Sequence, residues 1–259
     1  MSASAEAELA GLRKLLSDPG PVYNAILTIP DPGVAGILGW SGFDYVVIDA
    51  EHAPFTLESM RACVDALAAS PAASVIRVAT NDPTHLKQAL DLGVDGVQVP
   101  TVSDADQAAA AVRASRYSPE GNRGVGLGHA ARYGSNIEEY LATANSRVAV
   151  LAMIEDRSGV EHAAEIAAVE GLDGVVIGPF DLSADLGLLG QLEHPTVQAA
   201  FNHVIESCVA AGTKVGSLGE VATLARLGVT LFTCFVDGSA LGAGARQVVA
   251  DAGAAWAAR

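Results

Sequence analysis

The segment Gly42-Phe43-Asp44-Tyr45-Val46-Val47-Ile48-Asp49 joins a glycine of the kind that ends helices to an uninterrupted apolar run. The same order of residue types recurs in Gly93-Val94-Asp95-Gly96 and in Gly171-Leu172-Asp173-Gly174. Glycine often follows the last turn of a helix, and a strand that is apolar throughout is typically buried on both faces. The repeated segment therefore predicts an α/β protein in which helices alternate with the strands of a buried parallel sheet.

The number of such strands decides between two architectures. Eight segments are short, apolar and rich in β-branched residues, and each precedes a helix-like stretch. Eight βα units in about 250 residues match a (β/α)8 TIM barrel. A doubly wound sheet would need a glycine-rich phosphate turn after its first strand, where this chain has Ile29-Pro30-Asp31-Pro32. The predicted barrel strands are Val22–Thr28, Tyr45–Asp49, Ser74–Val78, Gly96–Val99, Val148–Ile154, Gly174–Ile177, Thr213–Gly216 and Thr230–Phe235.

Three segments fall outside this repeat. Glu6–Leu16 has the spacing of an extra helix, which we expect to close the bottom of the barrel. Residues 116–145 are too long for an ordinary connection, and insertions of this length are usually functional. The Ala-rich tail Leu241–Arg259 is expected to pack against a neighbouring subunit. Nothing in the sequence reads as a linker, so residues 1–259 are interpreted as a single domain.

Composition argues against several classes of protein. The chain has 15 Lys and Arg against 30 Asp and Glu, a formal charge of −15, which argues against nucleic acid as a partner. No run of about 18 apolar residues occurs and the first residues are acidic, so we expect no membrane span or signal peptide and a cytoplasmic location. Cys63, Cys208 and Cys234 lack metal-binding spacing and are interpreted as buried, reduced thiols.

Polar side chains follow four of the predicted strands. TIM barrels carry their active sites where the strands end and the loops begin, so we expect these residues to meet at one rim. They are Asp49-Ala50-Glu51-His52 after the second strand, Arg77 at the end of the third, Glu155 after the fifth, and Gly178-Pro179-Phe180-Asp181 after the sixth.

Glu155 and Asp181 follow adjacent strands, so their carboxylates could bind one divalent cation between them. Two protein ligands would leave coordination positions for water and substrate, as in enzymes in which an oxyacid substrate chelates Mg²⁺ or Mn²⁺. The alternative is that Asp181 caps a helix, because Asp181-Leu182-Ser183-Ala184 has the residues of a helix start. The residues alone leave both interpretations open.

Arg77 and His52 are candidates for charge stabilisation and proton transfer. Arg77 interrupts an apolar strand, and a buried guanidinium requires an anion, either a substrate or a structural partner such as Asp49 or Glu51. His52 stands beside these carboxylates and could act as a general base at neutral pH. Lys214, near the start of the seventh strand, makes a Schiff-base mechanism possible but less favoured than metal catalysis.

These residues lie in a sequence that strongly resembles the HpcH/HpaI aldolase family, metal-dependent class II aldolases that cleave or form 4-hydroxy-2-oxo acids. The resemblance runs nearly end to end. It is carried by residues 42–54, Arg77 with Asn81-Asp82-Pro83, residues 90–93, residues 116–124, Met153-Ile154-Glu155 and residues 178–187. It implies a divalent ion (Mg²⁺, Mn²⁺ or Co²⁺), no organic cofactor, a small oxo acid and an aldehyde as partners, and a homo-oligomer, trimeric or hexameric.

The resemblance also implies catalytic roles for matching residues. Glu155 and Asp181 would bind the metal, and His52 would be the base. Arg77 would stabilise the enolate. Asp91 would be an acidic partner that raises the basicity of the histidine, within the chain or across a subunit interface.

The remaining matches concern the substrate. Asp49 would be a further carboxylate of the site, and backbone N–H groups of Phe180 and Asp181, after Gly178, would receive the pyruvate carboxylate. The aldehyde would lie near Leu218 and the insertion.

Two positions depart from the family pattern and leave the substrate open. Met153 stands where many members have a glutamine that contacts the oxo acid, and Phe180 where alanine or threonine is usual. The alternatives on the same site are an oxaloacetate decarboxylase, a citrate-forming condensing enzyme and an acyl-CoA lyase. A more distant alternative is a non-catalytic binding barrel.

Overall fold

A computed structural model describes residues 11–259 and shows a closed barrel of eight parallel strands in chain order. The strands are β1 (Val22–Leu27), β2 (Tyr45–Asp49), β3 (Ala73–Arg77), β4 (Gly96–Val99), β5 (Ala149–Ile154), β6 (Gly174–Ile177), β7 (Val215–Leu218) and β8 (Leu231–Val236). The helices are α1 (Gly11–Ser17), α2 (Pro32–Gly39), α3 (Leu57–Ala68), α4 (Pro83–Asp91), α5 (Ala105–Ser115), α6 (Ile137–Arg147), α7 (Arg157–Glu161), α8 (Ala163–Ala167), α9 (Pro179–Asp185), α10 (Pro195–Ala211), α11 (Val221–Arg226) and α12 (Asp237–Ala257). The predicted TIM barrel is confirmed, and the bounds of its strands agree with the prediction to within two residues.

Alternate side chains of each strand point into the barrel and out toward the helices. Along β5, Leu151 and Met153 fill the barrel interior, whereas Val150 and Ala152 pack in the layer between strands and helices. Because both layers are apolar, a strand of this kind appears in the sequence as a continuous apolar run. A polar side chain that points inward near the end of a strand therefore lies at the rim of the barrel.

The repeated Gly-x-Asp segments tie neighbouring strands together at the amino-terminal end of the barrel. Their glycines adopt positive φ angles that a residue with a Cβ rarely adopts: +90° at Gly42 and +85° at Gly93 and Gly171. Each aspartate accepts a backbone N–H from the preceding strand: Asp44 from Tyr23, Asp95 from Ser74, and Asp173 from Val150. Each segment thus fixes the strand beside it. Gly93 directly follows Leu92, the C-cap of α4, whereas Gly42 and Gly171 lie beyond the C-caps of α2 and α8, so only Gly93 ends its helix as expected.

Helix α1 closes the bottom of the barrel, as predicted. Leu12 and Leu16 are 2% and 3% exposed and pack with the side chains that fill the barrel interior. The start of the predicted helix, residues 6–10, lies outside the described residues.

The long insertion begins after α5 and ends before β5, so both of its ends lie at the bottom of the barrel, away from the rim. It packs on the outer face of α3, where Tyr133 Oη accepts a hydrogen bond from Arg61 Nη1 at 3.0 Å. His129 Nε2 lies 3.2 Å from Asp65 Oδ1. Within one chain, the insertion therefore does not reach the strand ends beside which we expected it.

Cys63 and Cys208 are buried, but the prediction that Cys234 is buried is wrong. The pairing of β1 with β8 shifts between Asn24 and Ala25, whose partners are Thr233 and Phe235. Cys234 is the extra residue of this bulge, and a bulged residue is left out of the regular packing of the strand.

Helix α12 leaves the barrel and exposes most of its length. Asp237, at its start, is its only buried residue. Its exposed apolar side chains are Leu241, Val248, Val249 and Trp256. Over residues 11–259, the apolar stretches of the helices are too short or too polar to cross a membrane.

Candidate active site

A pocket of about 320 Å³ opens at the carboxyl ends of the strands. Inward side chains of the barrel form its floor, and the loops after β2 and β6 form its wall. Its lining includes Asp49, His52, Arg77, Met153, Gly178, Phe180, Asp181 and Leu218 among the predicted site residues. Of the other predicted residues, Glu155 lies directly behind Gly178, and Asp91 lies elsewhere.

Arg77 and Asp49 form a bidentate ion pair in the pocket. Arg77 Nε and Nη2 donate to the two carboxylate oxygens of Asp49 at 2.8 and 2.7 Å, and Asp49 is 2% exposed. Burial alone would lower the pKa of Arg77, but the hydrogen bonds and charge of Asp49 outweigh it and raise that pKa. The structural partner considered for Arg77 therefore exists, and the guanidinium lines the pocket as well.

The loop after β2 brings Glu51 and His52 to the same place. Asp49 Oδ1 accepts the backbone N–H groups of both residues at 3.2 Å, so the carboxylate that fixes Arg77 also shapes this loop. His52 Nε2 lies 3.4 Å from Glu51 Oε2, and Arg77 Nε lies 3.4 Å from the same oxygen. Burial raises the pKa of Glu51, and the charge of Arg77 partly opposes that shift. The histidine thus has a carboxylate partner within its own chain.

Glu155 is a buried carboxylate with one oxygen already fixed. Its Oε1 accepts the backbone N–H of Thr101 at 2.6 Å and the hydroxyl of the same residue at 3.1 Å. Its Oε2 lies 2.6 Å from the point where a Cβ on Gly178 would stand, so any larger residue there would press on the carboxylate. Burial raises the pKa of Glu155, the bonds from Thr101 oppose this, and the charge of Asp181 adds to it.

Asp181 lies in the first turn of α9, not at its cap. The N-cap residue of α9 is Gly178, and no side chain caps this helix, so the interpretation of Asp181 as the N-cap is wrong. The carboxylate is exposed to the pocket beside Glu155. Two neighbouring carboxylates of which one is buried repel each other, and a cation between them would relieve this repulsion.

The donor set fits a hard divalent cation. Over residues 11–259, His, Cys, Asp and Glu side chains form no cluster of three or more arranged to hold a metal. Glu155 and Asp181 would thus supply two oxygen ligands and leave the other positions to water and substrate, which suits Mg²⁺ or Mn²⁺.

The structure adds pocket residues that the sequence analysis missed. Asn24, Gln98 and Thr233 are buried strand residues that line the floor, and Thr101 holds Glu155. Gln98 carried a usable signal, because it interrupts an apolar strand as Arg77 does.

Two residues lie away from the pocket within the chain. Asp91 ends α4 at the bottom of the barrel, where its Oδ1 accepts from Arg123 Nη2 at 3.0 Å. A contact between Asp91 and His52 would therefore require a second subunit. Lys214 precedes β7 and donates to the carbonyl of Gly20 at 2.8 Å, so a Schiff-base role in this pocket is excluded by its position.

The barrel and the charged pocket where its strands end have the arrangement of a TIM-barrel enzyme. The model of the family HpcH/HpaI aldolase/citrate lyase matches residues 27–231, and the chain belongs to this family. The protein is thus an aldolase-type carbon–carbon lyase.

Similar proteins carry more than one substrate name. The chain is 41% identical over 227 residues to 5-keto-4-deoxy-D-glucarate aldolase of Klebsiella pneumoniae, an alignment that covers 86% of this chain and 89% of the relative. It is 43% identical over 194 residues to hydroxypyruvate/pyruvate aldolase of Chromohalobacter salexigens, covering 74% and 76%. A crystal structure of a family protein from Burkholderia cenocepacia superposes with a TM-score of 0.88 at 36% identity, covering 93% of this chain and 98% of that one.

Proposed function

We propose that the protein reversibly cleaves a 4-hydroxy-2-oxo acid into pyruvate, or a close 2-oxo acid, and an aldehyde. The observation that carries the proposal is the arrangement of one rim. A charged arginine fixed by Asp49, an exposed histidine and Asp181 line one pocket of about 320 Å³, and Glu155 lies directly behind Gly178 in its wall. This arrangement supports the proposal because it would supply a base, a stabiliser of negative charge and a metal-binding pair.

Glu155 and Asp181 would hold Mg²⁺, Mn²⁺ or Co²⁺. When bound, the ion supplies positive charge that favours the enolate form of pyruvate. The first turn of α9 leaves backbone N–H groups unpaired, so Phe180 and Asp181 would donate to the carboxylate of the oxo acid.

His52 would move the proton. In cleavage it takes the proton of the C4 hydroxyl, the C3–C4 bond breaks, and its electron pair remains on the pyruvate fragment as the enolate. Protonation at C3 then gives pyruvate. Arg77 faces the pocket with its charge secured by Asp49, and it would stabilise the negative charge that develops on the enolate oxygen.

The aldehyde would lie near Leu218, which is 41% exposed at the pocket mouth. We also propose a homo-oligomer, trimeric or hexameric, in which Asp91 of one subunit approaches His52 of another. The cytoplasmic location stays a prediction.

Pyruvate release from a panel of 4-hydroxy-2-oxo acids, before and after chelation of metal by EDTA, tests the proposal. We expect turnover of at least one compound, loss on chelation and recovery when Mg²⁺ or Mn²⁺ is added back. Full activity in the chelated enzyme would contradict the metal assignment. Activity confined to oxaloacetate decarboxylation, citrate formation or acyl-CoA cleavage would support the corresponding alternative enzyme.

A further inference from the structure

Gln98 lies within the pocket floor and makes a poor hydrogen bond there. It is 4% exposed, and its Nε2 donates to Met153 Sδ at 2.9 Å. A thioether is a weak acceptor, and a buried amide without a good partner is costly. Among the described residues, no group donates to Gln98 Oε1. The carboxamide therefore has unused hydrogen-bonding capacity in a pocket for a polar substrate.

The strand register places this amide beside the catalytic arginine. In the pairing of β2, β3 and β4, Asp49 stands opposite Arg77 and Arg77 opposite Gln98. All three residues line the pocket, so they form a polar row across three adjacent strands. Asp49 and Arg77 satisfy each other, whereas the amide at the end of the row faces a thioether.

Met153 connects this row to the start of α9. It lies on β5, two residues before Glu155, and its Cε is 3.5 Å from the point where a Cβ on Gly178 would stand. The apolar side chain at 153 thus separates the Gln98 amide from the helix start, without offering a directional hydrogen bond. A ligand oxygen above the floor would be a stronger acceptor than sulfur.

The geometry points to Gln98 as the residue that hydrogen-bonds the bound 2-oxo acid, a substrate contact that Met153 cannot make. This inference rests on the proposed function, since it assigns a substrate-positioning residue within the same pocket. The amide would turn from the Met153 sulfur toward a carbonyl or carboxylate oxygen near Arg77. Gln98 thereby determines affinity for the oxo acid, while His52 and Arg77 carry out the chemistry.

The test measures binding of oxalate, a planar dianion that resembles the enolate of pyruvate, to the Mg²⁺-loaded enzyme by calorimetry. Gln98→Leu should weaken oxalate binding by about tenfold or more, the cost of removing a hydrogen bond to a charged group. It should raise KM for the oxo acid more than it lowers kcat. The control is Gln198→Leu on α10, which removes an amide that donates to the backbone carbonyl of Leu192 and does not line the pocket; this variant should bind oxalate as the native enzyme does.

A rescue variant separates positioning from a structural role. Gln98→Leu combined with Met153→Gln returns an amide to the same floor from the neighbouring strand, and it should recover most of the lost affinity. Native-like oxalate binding by Gln98→Leu would overturn the inference. The inference would also be overturned if Gln98→Leu binds oxalate more weakly and the added Met153→Gln substitution does not restore the affinity. A native enzyme that releases no pyruvate from any 4-hydroxy-2-oxo acid would instead overturn the proposed function itself.

Discussion

The guanidinium of Arg77 gives two of its nitrogens to Asp49, at 2.8 and 2.7 Å, and still lines the pocket. The bidentate contact fixes the plane of the guanidinium, and the negative charges of Asp49 and Glu51 keep its pKa raised despite burial. Arg77 therefore stays charged throughout the working pH range. A fixed charge aimed at the pocket costs little reorganisation when the enolate forms.

Arg77→Lys should therefore lower kcat by roughly 10² to 10³, the effect of losing one preorganised donor to a developing oxyanion. Lysine keeps the charge but does not form the planar pair with Asp49, so its ammonium group is less well placed. Steady-state kinetics on the best substrate of the panel measures this. Arg147→Lys, at an exposed position on the bottom of the barrel, is the matched control and should leave kcat unchanged.

Thr101 sets how readily Glu155 gives up its proton. It adopts a φ of +52°, unusual for a β-branched residue, and from that conformation both its N–H and its hydroxyl reach Glu155 Oε1. Both bonds lower the pKa of Glu155 against the raising effect of burial. The unusual backbone conformation at this position is thus held by a contact that favours the ionised form of Glu155, the proposed metal ligand.

As the pH is lowered, Thr101→Ala should begin to lose its metal affinity at a higher pH than the native protein does. Protons and metal compete for Glu155, so affinity is full above its pKa and is lost as the pH falls through that value. Loss of the hydroxyl raises the pKa further, which moves this decline to higher pH. Calorimetric titration with Mn²⁺ between about pH 4 and pH 8 measures the shift. Thr143→Ala on α6 is the control, and superimposable curves for Thr101→Ala and the native protein would refute the idea.

Helix α9 begins immediately after β6, with Pro179 in its first turn, and this places three functional groups together. Its backbone N–H groups face the rim, its third residue is Asp181, and the side chain of Phe180 lines the pocket while 53% exposed. Because the backbone N–H and the ring both belong to Phe180, the proposed substrate anchoring and the pocket width would be set by separate atoms of one residue.

Phe180→Ala should broaden the range of aldehydes with little effect on enolisation. The ring occupies space beside Asp181, whereas the N–H that would bind the carboxylate is unchanged by the substitution. The ratio of kcat/KM for a long aldehyde to that for a short one should rise by about tenfold or more, the selectivity that shape alone provides. Deuterium exchange into pyruvate should change much less. Leu189→Ala, at a 74% exposed position after α9, serves as the control, and an unchanged aldehyde ratio in Phe180→Ala would show that the ring points away from the acceptor.

The fold, and the position of the main candidate site residues at one rim, could be predicted because their signals are local. Asp49, Arg77 and Glu155 lie at or directly after strands, and parallel strands bring such positions to one rim. The aspartates of the Gly-x-Asp segments also marked the strand starts correctly, although only Gly93 directly follows a helix C-cap. Counting strands was then sufficient to choose the barrel.

What the sequence did not predict depends on contacts between distant parts of the chain. Thr101 bonds a carboxylate 54 positions later, and the bulge at Cys234 arises from the pairing of β8 with β1. The length of the insertion suggested function, but its position follows from the connection of α5 to β5. Asp91 is the clearest case, because its predicted partner lies at the other end of the same barrel. The contact predicted for Asp91 therefore depends on a second copy of the chain.

Helix α12 is the main candidate for such a surface. A single barrel leaves Leu241, Val248, Val249 and Trp256 between 66% and 73% exposed on one helix. Exposed apolar side chains of this size, on a helix that makes few contacts with its own barrel, are typical of a surface covered by another subunit. The predicted role of Asp91 needs a second subunit for an independent reason, since it does not reach His52 in its own chain.

Val248→Asp combined with Val249→Asp should therefore dissociate the oligomer, because two charges would be buried in an apolar contact. Sedimentation velocity at micromolar concentration should show a trimer or hexamer for the native protein and smaller species for the variant. If Asp91 of one subunit raises the basicity of His52 in another, dissociation should also lower kcat, while Mn²⁺ binding at Glu155 and Asp181 persists. Gln247→Glu, one residue away on the same exposed helix, controls for added charge and should stay assembled. A native protein that sediments as an active monomer would contradict both the assembly and the contribution of Asp91.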